Sequence, residues 1–344
     1  MHLPTLPYIL LAVIWFALIA YAAFGGADFG AGIWNLLATG PLAREQHDLI
    51  DHALGPVWET NHVWLVFLVV GLFSCFPVPF SIIAVVLFIP LTLALLGTVL
   101  RGSAFVFRTH GLKSRPVMNT WTRIFSISSV LTPFFLGLCA AAVAGGQIHV
   151  KGEPMTDLGP LWLTPFALAI GCMALGLCAT LAAIYLTVEA TNEKQTELAE
   201  LYRWRGLVAG AITAVLGAIG LGLSSIYAPL LWHGMLDHTL PLVIATMIIG
   251  VITAVTLYLR YYRLARIFIV GETAFLLGSW GVSQIPYLIP PDITVDAGAS
   301  SSDNLLLMLI GIIIGMAIVL PSIYFLFYIL KLKNSMGLLE KAPE

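Results

Sequence analysis

Long apolar stretches dominate this chain, and each of them is long enough to cross a lipid bilayer as a helix. A helix rises about 1.5 Å per residue, so about 20 apolar residues span the hydrocarbon layer of ~30 Å. The alternation typical of a β-barrel is absent, and only helices and closed barrels satisfy their backbone hydrogen bonds in lipid. The sequence therefore predicts an all-α integral membrane protein with nine transmembrane helices. The nine apolar runs cover roughly residues 7–37, 57–76, 79–107, 119–148, 160–189, 205–228, 239–260, 264–287 and 304–331.

The composition agrees with a lipid environment. Hydrophobic residues make up 59% of the chain and charged residues only 10%, whereas soluble domains carry about 25% charged residues. The net charge of −2 gives no basis for a nucleic-acid partner. The four cysteines all lie in apolar runs without a C-x-x-C pair, which is typical of small core residues.

The basic residues predict the orientation of the chain. With nine spans and the N-terminus outside, fifteen lysines and arginines fall on the cytoplasmic side and only Lys151 falls outside. This asymmetry is the positive-inside pattern, and it predicts a cytoplasmic C-terminus. The fifteen cytoplasmic residues are Arg44, Arg101, Arg108, Lys113, Arg115, Arg123, Lys194, Arg203, Arg205, Arg260, Arg263, Arg266, Lys331, Lys333 and Lys341.

The spans divide into two groups of four with one additional helix. We predict a first four-helix bundle over residues 1–150 and a second over residues 151–290. An outer loop, a peripheral ninth helix and a cytoplasmic tail follow over residues 291–344. The charged segment 190–204, near the midpoint, is predicted to be a cytoplasmic helical linker.

A polar motif, Gly-Pro-Val-Trp58-Glu59-Thr-Asn61-His62-Val-Trp64, stands at the start of the second span. An ionisable group at the centre of a span costs roughly 2.5–3.5 kcal/mol on insertion scales, so Glu59 is a functional candidate. Glu59 and His62 share a helix face at i, i+3. This is half of a di-iron carboxylate motif, but the chain lacks the second half, so no metal site is predicted. The pair is better suited to proton transfer, and a satisfied helix start is the structural alternative.

Two further intramembrane charges are expected to meet near the cytoplasmic side. Asp28 lies in a glycine-rich part of the first span, and Arg101 ends the third span at the same level. Because an unpaired buried charge is costly, Arg101 is the natural partner of Asp28. A purely structural pair, or an arginine that reaches the lipid headgroups, is the alternative. Glu272, about two turns into the eighth span, fits either structural pairing or a polar pathway.

The histidines bear on redox chemistry. None lies in the middle of a predicted span, as a pair of haem ligands would require, and there is no C-x-x-C-H attachment motif. The sequence therefore predicts no redox centre held by this chain.

These motifs resemble a known family. The Gly-Gly-Ala-Asp28-Phe-Gly segment, the Glu59 motif and Arg101 look like subunit II of the cytochrome bd quinol oxidases. The length, the nine spans and the proline-rich outer loop agree with this resemblance over nearly the whole chain. Thr60 departs from the glycine usual in the family, and Gly25 stands near the position where some members carry a second acidic residue.

The resemblance implies a multi-pass subunit of a terminal oxidase in the bacterial cytoplasmic membrane. The complex oxidises quinol and reduces dioxygen to water, with two b-type haems and one d-type haem in subunit I. Subunit I is the implied partner, and the complex could also contain a small single-helix accessory subunit. Glu59, His62 and Asp28 would serve a cytoplasmic proton pathway, and Asp28 and Arg101 a polar pocket for quinone or lipid. Trp58 and Asn61 would support the motif, and Trp64 would lie near an oxygen path.

Two other functions stay open on the sequence alone. A proton-coupled secondary transporter could use Asp28, Glu59 and Glu272 as coupling sites, although the inverted repeats typical of many such transporters are not detectable. A purely structural scaffold for a haem subunit is the third possibility. An optical spectrum of the purified chain with its partners separates an oxidase subunit from a transporter.

Overall fold

The computed structural model describes residues 6–54, 58–110, 115–149 and 161–335. Within these residues the chain forms thirteen helices and one small ribbon of two strands. The first six helices are α1 (Leu6–Leu36), α2 (Ala43–Leu54), α3 (Trp58–Cys75), α4 (Pro77–Val86), α5 (Phe88–His110) and α6 (Arg115–Ala144). The next five are α7 (Pro165–Asn192), α8 (Thr196–Tyr227), α9 (Pro229–Asp237), α10 (Leu240–Tyr258) and α11 (Tyr262–Gln284). They are followed by β1 (Tyr287–Ile289), β2 (Ile293–Thr294), α12 (Val295–Gly298) and α13 (Ser302–Ser335).

Eight of these helices are long and apolar enough to cross a membrane: α1, α5, α6, α7, α8, α10, α11 and α13. A ninth candidate span is the pair formed by α3 and α4, which meet at an angle of 116°. The bend follows from Pro77, because a proline disfavours helical geometry at the residue before it. Phe76 is accordingly non-helical, with φ −134° and ψ 62°. The all-helical membrane class is confirmed.

The predicted third span, 79–107, is not one helix, and in this respect the prediction is wrong. The structure divides it into α4 and α5, with a break at Leu87. Pro90 lies in the first turn of α5 and has no N–H to bond the carbonyl of residue 86, where its ring would also clash. A proline is tolerated in the first turn of a helix and not in its interior, so a new helix begins at Phe88.

Two other segments differ from the expected boundaries. Most of the predicted linker 190–204 is helical, as expected. Its second half is not a separate linker helix, however, because it forms the start of α8, which runs unbroken from Thr196 to Tyr227. The predicted outer loop contains an antiparallel ribbon in which Tyr287 pairs with Thr294. These two strands are too short to give a periodic pattern in the sequence.

Helices α1 and α7 form the centre of the molecule. In the most apolar stretch of α7, 67% of the residues are buried, whereas in the corresponding stretch of α13 only 6% of the residues are buried. Helix α1 packs against α3, α6, α7 and α11, and α7 packs against α1, α6, α8 and α11. The two halves of the chain therefore meet directly along α1 and α7. The one charged residue of α1, Asp28, contacts Arg101 of α5.

A buried ion pair as the candidate functional site

The site is built around Asp28 on α1 and Arg101 on α5, and both side chains are buried. Nη2 of Arg101 lies 2.8 Å from Oδ1 of Asp28, and Nη1 donates to Oδ2 at 3.0 Å. Nη2 also donates to the backbone carbonyl of Asp28 at 3.1 Å. The pairing expected from the sequence is thus present, and the arginine binds both the side chain and the backbone of one residue.

A third helix completes the surroundings of the arginine. Nε of Arg101 donates to Oγ of Ser129 on α6 at 3.0 Å, and the Ser129 hydroxyl donates to the Phe125 carbonyl at 2.7 Å. The guanidinium lies over the rings of Phe29 and Phe125, 4.9 Å from each ring centroid. Aromatic faces attract a cation in a desolvated site. Arg101 is therefore held by hydrogen bonds in its plane and by aromatic rings on its faces.

The glycines of α1 allow the close approach that buries this pair. A Cβ atom at Gly30 would lie 1.8 Å from the Cys178 carbonyl oxygen on α7. A Cβ atom at Gly32 would lie 2.1 Å from Oγ of Ser129 on α6. No side chain fits at either position, so these two glycines permit the close packing of α1 against α7 and α6.

Two oxygen atoms near the pair make no hydrogen bond in the described structure. They are Oδ1 of Asp28, which is in ion-pair contact only, and the hydroxyl oxygen of Tyr21. Tyr21 lies seven residues before Asp28 and hence on the same face of α1. Buried polar atoms normally find a partner. These two oxygens therefore have hydrogen-bonding capacity that the described residues do not use.

The helix that carries the Glu59 motif packs beside the pair. Nδ2 of Asn61 donates to the Phe24 carbonyl of α1 at 3.4 Å. His62 is half-buried and close enough to interact electrostatically with Arg101 and Asp28. The Trp64 ring packs edge-on against Phe16, with 6.0 Å between the centroids. Three of the motif residues therefore lie against α1 near Asp28. The side chains of Trp58, Glu59 and Thr60 lie outside the described residues.

A layer of polar side chains joins α2 to the same region. Nδ1 of His47 lies 2.5 Å from Oδ1 of Asn35 on α1, and Nδ2 of Asn35 donates to Oγ of Ser126 at 3.1 Å. Asn35 and Ser126 are buried. Arg205 of α8 donates to Oε1 of the buried Gln46 at 2.8 Å, so α2 is fastened to both halves of the chain.

The titrating groups of α2 are shifted by their surroundings. Burial lowers the pKa of His47 below its ordinary value of 6.5, and the nearby Arg108 guanidinium lowers it further. Burial raises the pKa of Asp51, although Arg108 opposes this shift. Arg108 binds both carboxylate oxygens of Asp51, at 2.7 and 2.8 Å. The lowered pKa biases His47 toward its neutral form.

Sequence reasoning did not select several residues of this site. Ser129, Asn35, Ser126 and Tyr21 all contribute, and none belongs to a recognisable motif. The available signal was the presence of polar residues in runs that are otherwise apolar, such as Phe-Ser126-Ile-Ser-Ser129. Hydroxyl groups in helices usually bond to their own backbone, so this signal is weak without a structure.

Glu272 contacts a different helix from those that carry the ion pair. It lies on α11 against α10, where Gly250 and Thr253 are its neighbours. Among the described residues, no group of three or more His, Cys, Asp and Glu side chains is placed to hold a metal ion.

The fold and the site define a polytopic α-helical membrane protein that buries an arginine–aspartate pair between its first helices. A family profile described as "Cytochrome bd terminal oxidase subunit II" matches residues 6–330. The chain belongs to this family, as the resemblance of its motifs predicted. Members of the family are parts of an oxidoreductase complex that contains haem, and membership implies a subunit I partner.

Individual relatives agree with the family assignment. A Bacillus subtilis (strain 168) protein assigned as a cytochrome bd menaquinol oxidase subunit II is 27% identical over 336 residues, covering 94% of this chain and 95% of that protein. The Escherichia coli (strain K12) cytochrome bd-I ubiquinol oxidase subunit 2 is 25% identical over 197 residues, covering 54% of this chain and 51% of that protein. A solved chain of the bd oxidase from Geobacillus thermodenitrificans has a TM-score of 0.75 and 24% identity, covering 95% of this chain and 98% of that chain. The last comparison supports the fold.

Proposed function

We propose that the chain is the subunit II of a quinol:O2 oxidoreductase that ligates no haem itself. It would support the haem-bearing subunit I and contribute a cytoplasmic proton pathway to oxygen reduction. The observation that carries this proposal is the family match over residues 6–330. The ion pair and the adjacent α3 add a physical basis, because they place polar and titratable groups inside an otherwise apolar bundle.

The proposed topology has nine transmembrane helices, with α3 and α4 together counted as one span, an external N-terminus and a cytoplasmic C-terminus. It keeps the division into bundles over residues 1–150 and 151–290 and a final section over 291–344. The basic residues support this orientation. It places α2 and the Glu59 motif on the cytoplasmic side, where protons for oxygen reduction would enter.

Glu59, His62 and Asp28 are the proposed proton-pathway groups. His62 is half-buried beside Asp28 and Arg101, which supports its part in the route. Asp28 is held by Arg101 through both its carboxylate and its backbone carbonyl, and we propose that it supplies a polar surrounding for the route. Glu59 stays a prediction from the sequence, with Trp58 and Asn61 as the supporting motif residues.

Asp28 and Arg101 also form the wall of the proposed polar pocket for quinone or lipid. The Tyr21 hydroxyl and Oδ1 of Asp28, which makes an ion-pair contact but no hydrogen bond, support this role, because the hydroxyl can donate to a ligand carbonyl and the carboxylate can accept from a ligand hydroxyl. The Trp64 ring packs against the ring of Phe16, which is exposed. An apolar oxygen path along it is consistent with the low polarity of O2.

The haems are proposed to belong to subunit I, as two b-type groups and one d-type group. A haem in this chain would need an axial ligand near the middle of a span. The histidines with described side chains are His47, His52, His62, His149, His233 and His238, and none has that position. These residues do not fit a haem site with a histidine ligand. Quinol would be the substrate of the complex, which would lie in the bacterial cytoplasmic membrane, with or without a small accessory subunit.

The test of the proton pathway is Glu59→Gln in the complete purified complex. We expect assembly and haem content to be retained, while oxygen reduction and the coupled proton uptake slow together. Glu197→Gln, at an exposed carboxylate on α8, is the matched control and should leave both rates unchanged. Normal turnover and proton uptake in the Glu59→Gln complex with full haem content would contradict the pathway and leave only a scaffold role.

The transporter hypothesis is disfavoured by the family membership. A haem spectrum in the purified complex distinguishes the two functions, since a transporter would purify without haem and without an obligate partner. The Glu59→Gln experiment decides between a proton pathway and a purely structural scaffold.

A further inference from the structure

A small cavity lies where the end of α7 meets the connection between α10 and α11. Its volume is about 290 Å³, close to the lower limit of the ~300–1,000 Å³ typical of small-ligand sites. Thr191 and Asn192 line it from α7, and Arg260, Tyr261 and Arg263 line it from the α10–α11 connection. The described residues that line the cavity include two guanidinium groups and no carboxylate, so its chemistry suits an anion.

The two arginines of the cavity are not neutralised one for one by acidic neighbours. Arg263 is exposed and takes part in none of the ion pairs within the described part of the chain. Arg260 is also exposed, and its Nη2 lies 3.6 Å from Oε2 of Glu200. Glu200, however, already accepts from Nε of Arg203 through both of its oxygens. Positive charge is therefore left over for a ligand.

The Arg260 side chain stands at a backbone position that favours glycine. Helix α10 ends in a Schellman motif, in which the Tyr261 N–H donates to the Thr256 carbonyl at 2.8 Å and the Arg260 N–H donates to the Leu257 carbonyl at 3.2 Å. The φ of Arg260 is +65°, in the left-handed region that is unfavourable for a residue with a Cβ atom. The chain therefore keeps an arginine where glycine would be easier to accommodate, which fits a function for the guanidinium.

The surface beside the cavity is exposed and apolar, as expected at the boundary between membrane and water. Tyr258 and Tyr261 are both 60% exposed, and tyrosine is enriched at this boundary. Leu264 and Ile267 are exposed as well, and Ile267 lies one turn beyond Arg263 on the same face of α11. A ligand with a charged end and an apolar end would match both the cavity and this face.

We propose that the cavity binds the phosphate group of an anionic phospholipid, with Arg260 and Arg263 contacting the phosphate and an acyl chain lying along the exposed face of α11. Basic pockets between membrane helices recognise such headgroups. The described lining offers no carboxylate to receive the ammonium group of a zwitterionic lipid. The site is separate from the Asp28–Arg101 pair, and it does not depend on the oxidase assignment, because it rests on α7, α10 and α11 alone.

Quenching by spin-labelled lipids tests the proposal in the complete complex. A fluorophore is attached at Ile267→Cys, in a chain whose native cysteines have been replaced, and the complex is reconstituted in phosphatidylcholine nanodiscs. Phosphatidylglycerol with a spin label on its acyl chain should quench more strongly than equally labelled phosphatidylcholine at the same mole fraction. Equal quenching by the two lipids would overturn the proposal, and so would the absence of quenching by both, which would show that another subunit covers this face.

Variants of the two arginines assign the preference to the cavity. Arg263→Gln and Arg260→Gly should each reduce the preference for phosphatidylglycerol about fivefold, the contribution expected of one basic residue near anionic lipid. Glycine is favoured at the φ of residue 260, so the thermal unfolding midpoint of Arg260→Gly should not fall below that of the parent. A preference that persists in both variants would overturn the proposal.

Two controls separate this site from other sources of the same effect. Arg266→Gln removes an exposed arginine on the same helix that lies over the Tyr185 ring and does not line the cavity, so it should keep the preference. An equal loss in this variant would show a diffuse surface charge and overturn the site. Loss of the preference in millimolar inorganic phosphate, but not in chloride of equal ionic strength, would show a site for free anions and overturn the assignment to lipid.

Discussion

Gly32 on α1 lies so close to Ser129 on α6 that a Cβ atom at position 32 would be 2.1 Å from the serine Oγ. That same Oγ accepts the Nε–H of Arg101 at 3.0 Å. The glycine therefore allows Ser129 to lie close to α1, and the Ser129 hydroxyl in turn positions the guanidinium. The ion pair depends on a residue that touches neither charge.

We expect Gly32→Ala to destabilise the protein. The new methyl group would overlap Ser129, and overpacking of a close contact costs typically about 1–3 kcal/mol. The midpoint of thermal unfolding of the purified complex should fall accordingly. Gly222→Ala on α8 is the control, since a Cβ atom there has no neighbour within 4 Å. Equal stability of the two variants would contradict the close contact.

The Asp28–Arg101 pair should behave as one unit in a double-mutant cycle. Arg101→Gln leaves a buried carboxylate without a counter-charge, and Asp28→Asn leaves a buried guanidinium. Loss of one partner of a buried pair costs about 3–5 kcal/mol. The double variant carries neither charge, so its loss of stability should be smaller than the sum of the two single losses. Strictly additive losses would show that the two side chains act independently.

The docking of α2 should weaken on acidification. The pKa of His47 is lower in the folded chain than its ordinary 6.5, so the unfolded or undocked segment binds more protons below that pH. The contribution of His47 is thus fully present above pH 6.5 and is lost as the pH falls through the window below it. Amide hydrogen exchange in α2, corrected for the intrinsic rate, should accelerate over this range.

The variants that test this effect are His47→Gln and, as the control, Glu45→Gln. Glutamine at position 47 can donate to Asn35 without titrating, so it should remove the histidine contribution to the pH dependence. Glu45 lies on the same helix with an exposed side chain, and its replacement should leave the profile unchanged in this pH range. Asp51 has a raised pKa and acts in the opposite direction, but it is common to both variants. Identical profiles for all three proteins would exclude His47 as the source.

The proposed topology can be tested with single cysteines in a chain whose native cysteines have been replaced. Asn192→Cys, at the end of α7, should react with a membrane-impermeant maleimide only after the cytoplasmic side is opened. Ser301→Cys, just before α13, should react in intact cells. Both positions are exposed, so the accessible side decides the result. The reverse pattern would invert the topology.

Much of the site could be predicted from the sequence because the cost of a charge in lipid selects for a partner. Asp28 and Arg101 are recognisable as a pair for that reason, and the glycines around Asp28 indicate close packing. Ser129 and Asn35 could not be selected, because a hydroxyl or an amide in an apolar run most often bonds to its own helix or faces a neighbour that the sequence does not reveal. Only the packing of α6 against its neighbours brings Ser129 to Arg101 and Ser126 to Asn35.

The helical membrane class was determined by the sequence itself, because backbone hydrogen bonds in hydrocarbon must be satisfied within each segment. The hydrophobicity of a segment, however, does not show where a helix within that segment bends, breaks or begins. The break at Leu87, the 116° bend between α3 and α4 and the unbroken start of α8 at Thr196 were therefore decided by local proline geometry and by packing. The same holds for Glu272: the sequence shows a carboxyl group in a span, and only the tertiary structure shows that the carboxyl lies against Gly250 of α10.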